Sequence, residues 1–290
     1  MIFVQRTVQI TRLRSWLLSI VACVAFAPAI EAQELASDWT HGLKNRVRLT
    51  AGAVEGVGQG AVFAFVEIGL DKGWKTYWRN PGTAGGIPPV FDWTKSRNVR
   101  EAEVLLPVPQ IISDKAGDVI GYKEFVIFPV RILPERPGEA IDLDVVASYG
   151  ICETLCVPVE ATLRLTIPPG DLPAASPDAV AAFEKVPRSG AALRPGDPTG
   201  LTVVRKLSGP DAAVMLTARF PGGADEAQVF VDVADGRFIP LPVRHGAEGE
   251  VVTFRIDLSN AQDLQAVKGA TVRATLKGSQ GQSETTFTID

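Results

Sequence analysis

The sequence predicts an all-β protein built of two successive β-sandwich domains. From Arg46 onward, short runs that alternate apolar and polar residues are separated by Gly, Pro, Asn and Asp, the pattern of antiparallel strands joined by turns. A proline-rich stretch divides these runs into two sets. The 290 residues, 46% hydrophobic and 21% charged, suffice for two domains of ordinary size with apolar cores.

Residues 1–32 are predicted to be a signal peptide that is removed on export. Three arginines, Arg6, Arg12 and Arg14, precede an apolar run from Trp16 to Phe26, and small residues follow it. The apolar run of about eleven residues is shorter than the roughly twenty that a membrane-spanning helix needs. We therefore expect an exported protein without a permanent membrane anchor.

Cys23 offers an alternative way to process this segment. The residues Ile20 to Cys23 resemble a weak lipoprotein cleavage box. The chain after Cys23 stays apolar through Ile30 instead of becoming a polar tether, so cleavage as an ordinary signal peptide is the preferred interpretation.

Charge and residue content argue against several classes of function. Loss of residues 1–32 removes three arginines and one glutamate, so the formal charge changes from −4 to −6. A mildly acidic chain without a basic cluster is a poor candidate for nucleic-acid binding. The two histidines, His41 and His245, are too few for a usual zinc site, and the sequence has no glycine-rich phosphate loop. Neither a cofactor nor a metal is expected.

The first predicted domain spans residues 33–168. The stretch from Asp71 to Trp93 is rich in Trp, Gly and Pro, and it is expected to be a loop in which Trp74 and Trp78 close one end of the core rather than form a ligand platform. A turn from Pro134 to Gly138 is expected to join its flanking strands as an antiparallel pair. The predicted strands are Arg46–Ala51, Ala61–Leu70, Val99–Leu105, Phe125–Leu133, Ile141–Ser148 and Glu160–Ile167.

The second predicted domain, residues 201–290, follows a proline-rich linker, residues 169–200. Within the linker, Ser176 can cap a short helix that begins at Pro177 and ends before Pro187. The second domain has no cysteine, His245 is expected in a turn, and an accessory role is the default interpretation. Its predicted strands are Leu201–Leu207, Val214–Phe220, Gln228–Val233, Val251–Asp257, Thr271–Leu276 and Thr285–Ile289.

The chemistry is expected at Cys152 and Cys156, the cysteines that remain after removal of the signal peptide. An even pair in an oxidising compartment is expected to form a disulfide. The closed loop would hold about five residues and contribute only ~2 kcal/mol, against ~4 kcal/mol for a loop of about fifty. Because such a bridge stabilises little, a redox-active dithiol is a better interpretation than a structural staple.

Two other uses of the cysteine pair remain open. Soft thiolates bind Cu(I), so the pair could belong to a periplasmic copper-binding or copper-tolerance module, although neither methionine lies near Cys152 in the sequence. A structural sandwich with an inert disulfide is the second alternative. Thiol–disulfide exchange needs two cysteines within bonding reach, one of them accessible. Glu153 and the lack of a helix start predict a sluggish nucleophile.

Three segments in order carry a resemblance to a known family: GWKTYWRNPGTAGGIPPVFDW, GYKEFVIFPV and YGICETLCVPVEATLRL. From Gly73 to Pro168 the chain resembles the periplasmic N-terminal domain of the thiol:disulfide interchange protein DsbD, in the form of its suppressor-of-copper-sensitivity relatives. The resemblance implies an immunoglobulin-like fold. It also implies that the cysteine pair accepts electrons from a membrane-linked thioredoxin-like domain and passes them to periplasmic thioredoxin-like oxidoreductases.

The resemblance further implies roles for individual residues. Cys156 is expected to form the mixed disulfide with partners, and Cys152 to resolve it. The segment from Ser113 to Tyr122 falls where the family has a cap loop that shields the pair. This loop leads into Phe125–Leu133, which is expected to pair beside the strand that delivers Cys152. The residues expected to support the pair are Asp114, Asp118, Tyr122, Tyr149 and Glu153.

Full-length members of this family continue into a membrane-spanning electron-conducting domain and a terminal thioredoxin-like domain, and this chain ends at Asp290 with neither. The resemblance therefore implies a separate membrane electron-transfer protein as the reductant. We expect a monomeric periplasmic thiol:disulfide oxidoreductase without a bound cofactor.

Overall fold

Antiparallel strands dominate the computed structural model, which describes residues 1–3, 34–56, 60–114 and 117–290. The predicted signal peptide, apart from residues 1–3, and Cys23 lie outside the described residues. Residues 33–290 form one compact unit. The predicted all-β class, with an immunoglobulin-like sandwich, is confirmed.

The N-terminal sandwich is built from antiparallel strands that correspond to the predicted apolar runs and add several shorter ones. In chain order they are β1 (Leu35–Ala36), β2 (Thr40–Gly42), β3 (Asn45–Ala51), β4 (Val62–Leu70), β5 (Lys75–Gly82), β6 (Val90–Asp92), β7 (Glu101–Val104), β8 (Gln110–Asp114), β9 (Gly117–Lys123), β10 (Phe125–Leu133), β11 (Ile141–Cys152) and β12 (Cys156–Ile167).

These strands form two sheets that enclose one apolar core. The first sheet has the order β1-β3-β4-β10-β7, with β2 paired to β3, and the second has the order β12-β11-β5-β9-β8, with β6 paired to β11. Alternate residues of β12, from Ala161 to Ile167, are buried, as expected for a strand with one face on the core, and the predicted strand Glu160–Ile167 is confirmed. Core residues from both sheets include Leu49, Phe128, Val145 and Leu163.

The predicted pairing of β10 with β11 is wrong. Strand β10 pairs with β4 and β7, whereas β11 pairs with β12, β5 and β6, so the two strands lie in different sheets. The connection between them passes from one sheet to the other. The buried Asn98 side chain donates hydrogen bonds to the carbonyl oxygens of Arg136, Glu139 and Ala140, so these groups bind Asn98 instead of closing a hairpin.

The tryptophan-rich stretch from Asp71 to Trp93 is not the loop that its Gly and Pro content predicts, because it contains β5 and β6. Strand β5 pairs with β9 and β11, so it is an inner strand of the second sheet. Trp78 is 1% exposed and belongs to the core, and Trp74 packs against it, which confirms the predicted core role for these rings. Tertiary pairing here outweighs local propensity.

The proline-rich segment and the second half of the chain contain further strands and two short helices. Helix α1 (Pro177–Glu184) is followed by β13 (Thr199–Lys206), β14 (Ala213–Arg219), β15 (Gln228–Val233), β16 (Val243–Glu248), β17 (Val251–Asp257), α2 (Ala261–Val267), β18 (Thr271–Lys277) and β19 (Gln282–Thr288). One sheet has the order β13-β14-β17-β16 and the other β15-β18-β19. They enclose an apolar core that includes Leu216 and Val231, and together they form the second sandwich.

Two features of this half differ from the prediction. His245 lies in the exposed edge strand β16 rather than in a turn, and α2 was not predicted. The predicted helix is confirmed as α1, since the Ser176 hydroxyl accepts a hydrogen bond from the Ala179 amide. Phe183 of α1 packs edge-on against Phe63 of β4. Neither helix in the described residues has the length and apolar character that crossing a bilayer requires.

Candidate functional site

The cysteine pair lies at the tip of the hairpin formed by β11 and β12. Cys152 ends β11, Cys156 begins β12, and the two residues are direct cross-strand partners around a three-residue turn. Their Sγ atoms are 3.4 Å apart. Cys152 is buried and Cys156 is exposed. The hairpin therefore holds two thiols within reach of each other and presents one of them to solvent.

Tyr77 of β5 contacts the exposed cysteine. Its hydroxyl lies 2.8 Å from Sγ of Cys156, within hydrogen-bond distance, and its side chain is 0% exposed. Two glycines leave room for the ring: a Cβ atom on Gly86 would lie 2.2 Å from Cε1 of Tyr77, and one on Gly150 would lie 2.9 Å from Cε2. Any larger residue at Gly86 would therefore displace the ring from the thiols.

Two neighbours of Tyr77 on β5 bind the backbone of the cysteine hairpin. The buried ammonium group of Lys75 donates to the carbonyl oxygen of Glu153 at 3.2 Å, and the Thr76 hydroxyl donates to the carbonyl oxygen of Gly150 at 2.7 Å. Lys75 is also the cross-strand partner of Cys152. Strand β5 thus holds the turn and supplies the hydroxyl that faces Cys156.

Burial controls the ionisation of this site. It raises the pKa of the Cys152 thiol, an effect opposed by the Tyr77 hydrogen bond and the positive charge of Lys75. Burial, followed by hydrogen bonds to Cys156 and Cys152, raises the pKa of Tyr77 well above its ordinary value. Tyr77 therefore keeps its proton at neutral pH, and toward a thiolate its hydroxyl acts as a donor.

The predicted cap segment, Ser113 to Tyr122, is a β-hairpin rather than a loop. It comprises the end of β8 and most of β9, and β9 pairs with β5. Ile112 and Val119 of this hairpin pack with Tyr77 and Cys152. Gly121 lets β9 lie close to β5, because a Cβ there would lie 1.9 Å from the Thr76 carbonyl oxygen. The hairpin is part of the second sheet, and it covers Tyr77 and Cys152.

Two of the predicted support residues, Tyr122 and Tyr149, point into the core instead of toward the cysteines. The Tyr122 hydroxyl donates to the carbonyl oxygen of Pro107 at 2.7 Å, and the Tyr149 hydroxyl donates to Oδ1 of Asn45 at 3.0 Å. Both rings lie in the apolar core between the two sheets. Side chains alternate along a strand. The rings of Tyr122 and Tyr149 therefore lie on the opposite face of the sheet from the residues of β9 and β11 that border the cysteines.

The predicted acidic residues occupy the periphery of the site. Asp118 accepts a hydrogen bond from Ser113 at 2.6 Å within the β8–β9 hairpin. Glu153 is exposed in the cysteine turn and contributes its carbonyl oxygen to Lys75. The side chain of Asp114 lies outside the described part of the chain. No carboxylate hydrogen bond to either thiol is found among the described residues.

The residues that sequence reasoning missed are Lys75, Tyr77 and Ile112. Tyr77 belongs to the motif GWKTYWRNPG, in the stretch that was expected to be a loop. Its alternation with Lys75 would place both side chains on one face of a strand, but the flanking Gly and Pro residues concealed the strand.

Part of the chain matches a known family in sequence, and most of it matches a solved structure in fold. Residues 51–168 match the family described as thiol:disulfide interchange protein DsbD, N-terminal. A similar solved structure is the N-terminal periplasmic domain of ScsB from Proteus mirabilis, with a TM-score of 0.67, 21% sequence identity, and coverage of 89% of this chain and 99% of that chain. No curated protein matches the sequence. The predicted resemblance is therefore confirmed: residues 51–168 carry the match to the N-terminal domain of DsbD.

Proposed function

We propose that this chain is a periplasmic thiol:disulfide interchange protein that relays electrons through Cys152 and Cys156. The observation that carries the proposal is the pairing of one exposed and one buried thiol, with Sγ atoms 3.4 Å apart, beside the hydroxyl of Tyr77. Interchange needs an accessible sulfur that attacks and a second sulfur that can reach it. The match of residues 51–168 to an interchange family supports the same function.

The two thiols have different accessibility, which supports different roles. When the protein reduces a partner, the Cys156 thiolate attacks a sulfur of the partner disulfide, and the partner's other sulfur leaves as a thiolate. Cys152 then attacks Sγ of Cys156, and the partner cysteine leaves as a second thiolate. The protein ends as the Cys152–Cys156 disulfide, and two electrons have passed to the partner.

Tyr77 and Lys75 assist these steps from fixed positions. While Cys156 is a thiolate, the Tyr77 hydroxyl donates a hydrogen bond to it, since the raised pKa of Tyr77 keeps the phenol protonated. When Cys152 must lose its proton, the positive charge of Lys75 opposes the rise in its pKa that burial causes. The site thus favours attack by Cys156 first and by Cys152 second.

A protein partner fits the surface around Cys156 better than a small thiol does. Leu155, next to Cys156, is 73% exposed, and Ile87, whose carbonyl oxygen accepts a hydrogen bond from the Gly150 amide, is 41% exposed. Exposed apolar side chains beside a reactive group indicate a surface that another protein covers. We propose a thioredoxin-like oxidoreductase as the partner that receives electrons, and a separate membrane protein as their source.

Trapping with single-cysteine variants tests this proposal. Cys152→Ser retains the exposed nucleophile but cannot resolve the intermediate, so it should accumulate a mixed disulfide with an oxidised thioredoxin-like protein. Cys156→Ser retains only the buried thiol and should accumulate little. Equal trapping by both variants would refute the assignment of roles, and no trapping by either would refute interchange with this class of partner.

A further inference from the structure

Strand β5 has a large irregularity directly after Tyr77. Tyr77 pairs with Gly121 of β9, and the next paired residue, Gly82, lies opposite Val119. The four residues Trp78 to Pro81 therefore face the single residue Ile120, so the ladder with β9 does not hold them. Bulges of this kind set the direction of neighbouring side chains and recur beside functional sites.

The bulge is held instead by the second sandwich. Three consecutive bulge residues contact three consecutive residues from Phe230 to Asp232 of β15. The Trp78 and Phe230 rings lie 6.0 Å apart, Nε of Arg79 donates to Oδ1 of Asp232 at 2.7 Å, and Nδ2 of Asn80 donates to the Val231 carbonyl oxygen at 2.7 Å. Within the bulge, Oδ1 of Asn80 accepts a hydrogen bond from the backbone N–H of Gly82.

Arg79 is the centre of a partly buried charge network in this junction. Its guanidinium binds Glu284 of β19 as well as Asp232, and it donates to the Thr275 hydroxyl at 3.1 Å. Asp232, which is 5% exposed, is also paired with Arg273. Charges alternate along this network and are satisfied by hydrogen bonds, so removal of one member leaves its neighbours poorly compensated.

We propose that Arg79 is a positioning residue for the thiol site, and that the second sandwich is a brace that holds Tyr77 against Cys156. Tyr77 is the last residue of β5 that pairs with β9 before the bulge. The direction of the Tyr77 side chain therefore depends on how the bulge is anchored. The anchor comes from β15, β18 and β19 through Arg79. Residues 199–290 thus have a role at the thiols, although they contain no cysteine.

The brace rests on the proposed function, because it acts on the same thiols. Its test needs no interchange partner, so the brace and the proposed function can be refuted separately. The measurement is the rate at which iodoacetamide alkylates Cys156 in the fully reduced protein at neutral pH. Loss of a hydrogen bond to a sulfur anion changes an equilibrium about fivefold. Such a bond also lowers the nucleophilicity of that sulfur, so a smaller factor appears in the rate of attack. Arg79→Met should therefore slow alkylation about twofold, by releasing Tyr77 from Cys156.

A double-mutant cycle shows whether Arg79 acts through the Tyr77 hydroxyl. In a Tyr77→Phe background, Arg79→Met should have no further effect on the alkylation rate, because the hydroxyl that it positions is already absent. Arg79→Lys, which keeps the charge, should recover part of the wild-type rate. Arg219→Met is the matched control, since Arg219 forms an exposed pair with Glu250 in the second sandwich.

Thermal unfolding must show that each variant is folded. If Arg79→Met does not fold, Asp232→Asn replaces it in the cycle, because it weakens the same network without changing the size of the side chain. An unchanged or faster rate in the folded variant, or an equal slowing in the Tyr77→Phe background, would overturn the brace. Equal slowing by Arg219→Met would overturn it as well.

Discussion

The hydroxyl of Tyr77 lies 2.8 Å from Sγ of Cys156, although the two residues are 79 positions apart in the chain. The contact joins an inner strand of the second sheet to the tip of the cysteine hairpin. It gives the exposed thiol a hydrogen-bond donor in a place where the described residues offer no helix N-terminus.

Removal of the Tyr77 hydroxyl should make the reduced dithiol less stable relative to the disulfide. A hydrogen bond is worth about 1 kcal/mol, so Tyr77→Phe should shift the equilibrium with glutathione about fivefold toward the disulfide. Tyr149→Phe is the control, because Tyr149 is equally buried but binds Asn45 instead of a thiol. It should lower the free energy of unfolding by about 1 kcal/mol and leave the thiol equilibrium unchanged. Equal equilibria in wild type and Tyr77→Phe would contradict the role of the hydroxyl.

The β8–β9 hairpin should limit access to Cys152. Ile112 is 7% exposed and packs with Cys152, whereas its neighbour Ile111 is 41% exposed. In a Cys156→Ser background, Ile112→Ala should speed alkylation of Cys152 severalfold, because the burial that raises its pKa is reduced. Ile111→Ala should have little effect. If both substitutions leave the rate unchanged in folded protein, the hairpin does not shield the thiol.

Leu155 should contribute to binding of a protein partner but not to reaction with a small thiol. Leu155→Ser removes an apolar side chain that is 73% exposed beside Cys156. We expect slower interchange with a thioredoxin-like protein by about tenfold, the effect of losing ~1.4 kcal/mol of contact, and an unchanged rate with glutathione. Val204→Ser, at a position 61% exposed in the second sandwich, is the matched control. Equal slowing with both reagents would mean that Leu155 acts on the thiol itself.

Stability should fall at alkaline pH. The pKa values of all three tyrosines, Tyr77, Tyr122 and Tyr149, are raised, in each case chiefly by burial. The folded state therefore binds protons more strongly than the unfolded state, so this contribution is complete below the ordinary tyrosine pKa of about 10 and is lost as pH rises above it. Phenolate absorbance should appear only together with loss of the folded circular dichroism signal. Phenolate that forms in folded protein would contradict the burial of these hydroxyls.

The sequence predicted those parts of the molecule that depend on local pattern. Alternation of apolar and polar residues was enough to predict strand β12, and Ser176 was enough to place α1. The partners of β11 could not be predicted, because the pattern of a strand does not identify its neighbours and the role of Asn98 in the connection from β10 depends on tertiary structure. Tyr77 was missed for a similar reason, since its strand is fixed by pairing and by the second sandwich.

The central claim is that Cys152 and Cys156 form a disulfide that opens and closes under physiological reducing conditions. The measurement that tests it most directly is equilibration of the purified protein in glutathione and dithiothreitol buffers, followed by trapping of free thiols and mass determination. The account predicts a reversible two-electron transition within the range of exchange proteins, about −270 to −120 mV. A disulfide that remains intact below about −300 mV would contradict it and identify the pair as a structural bridge.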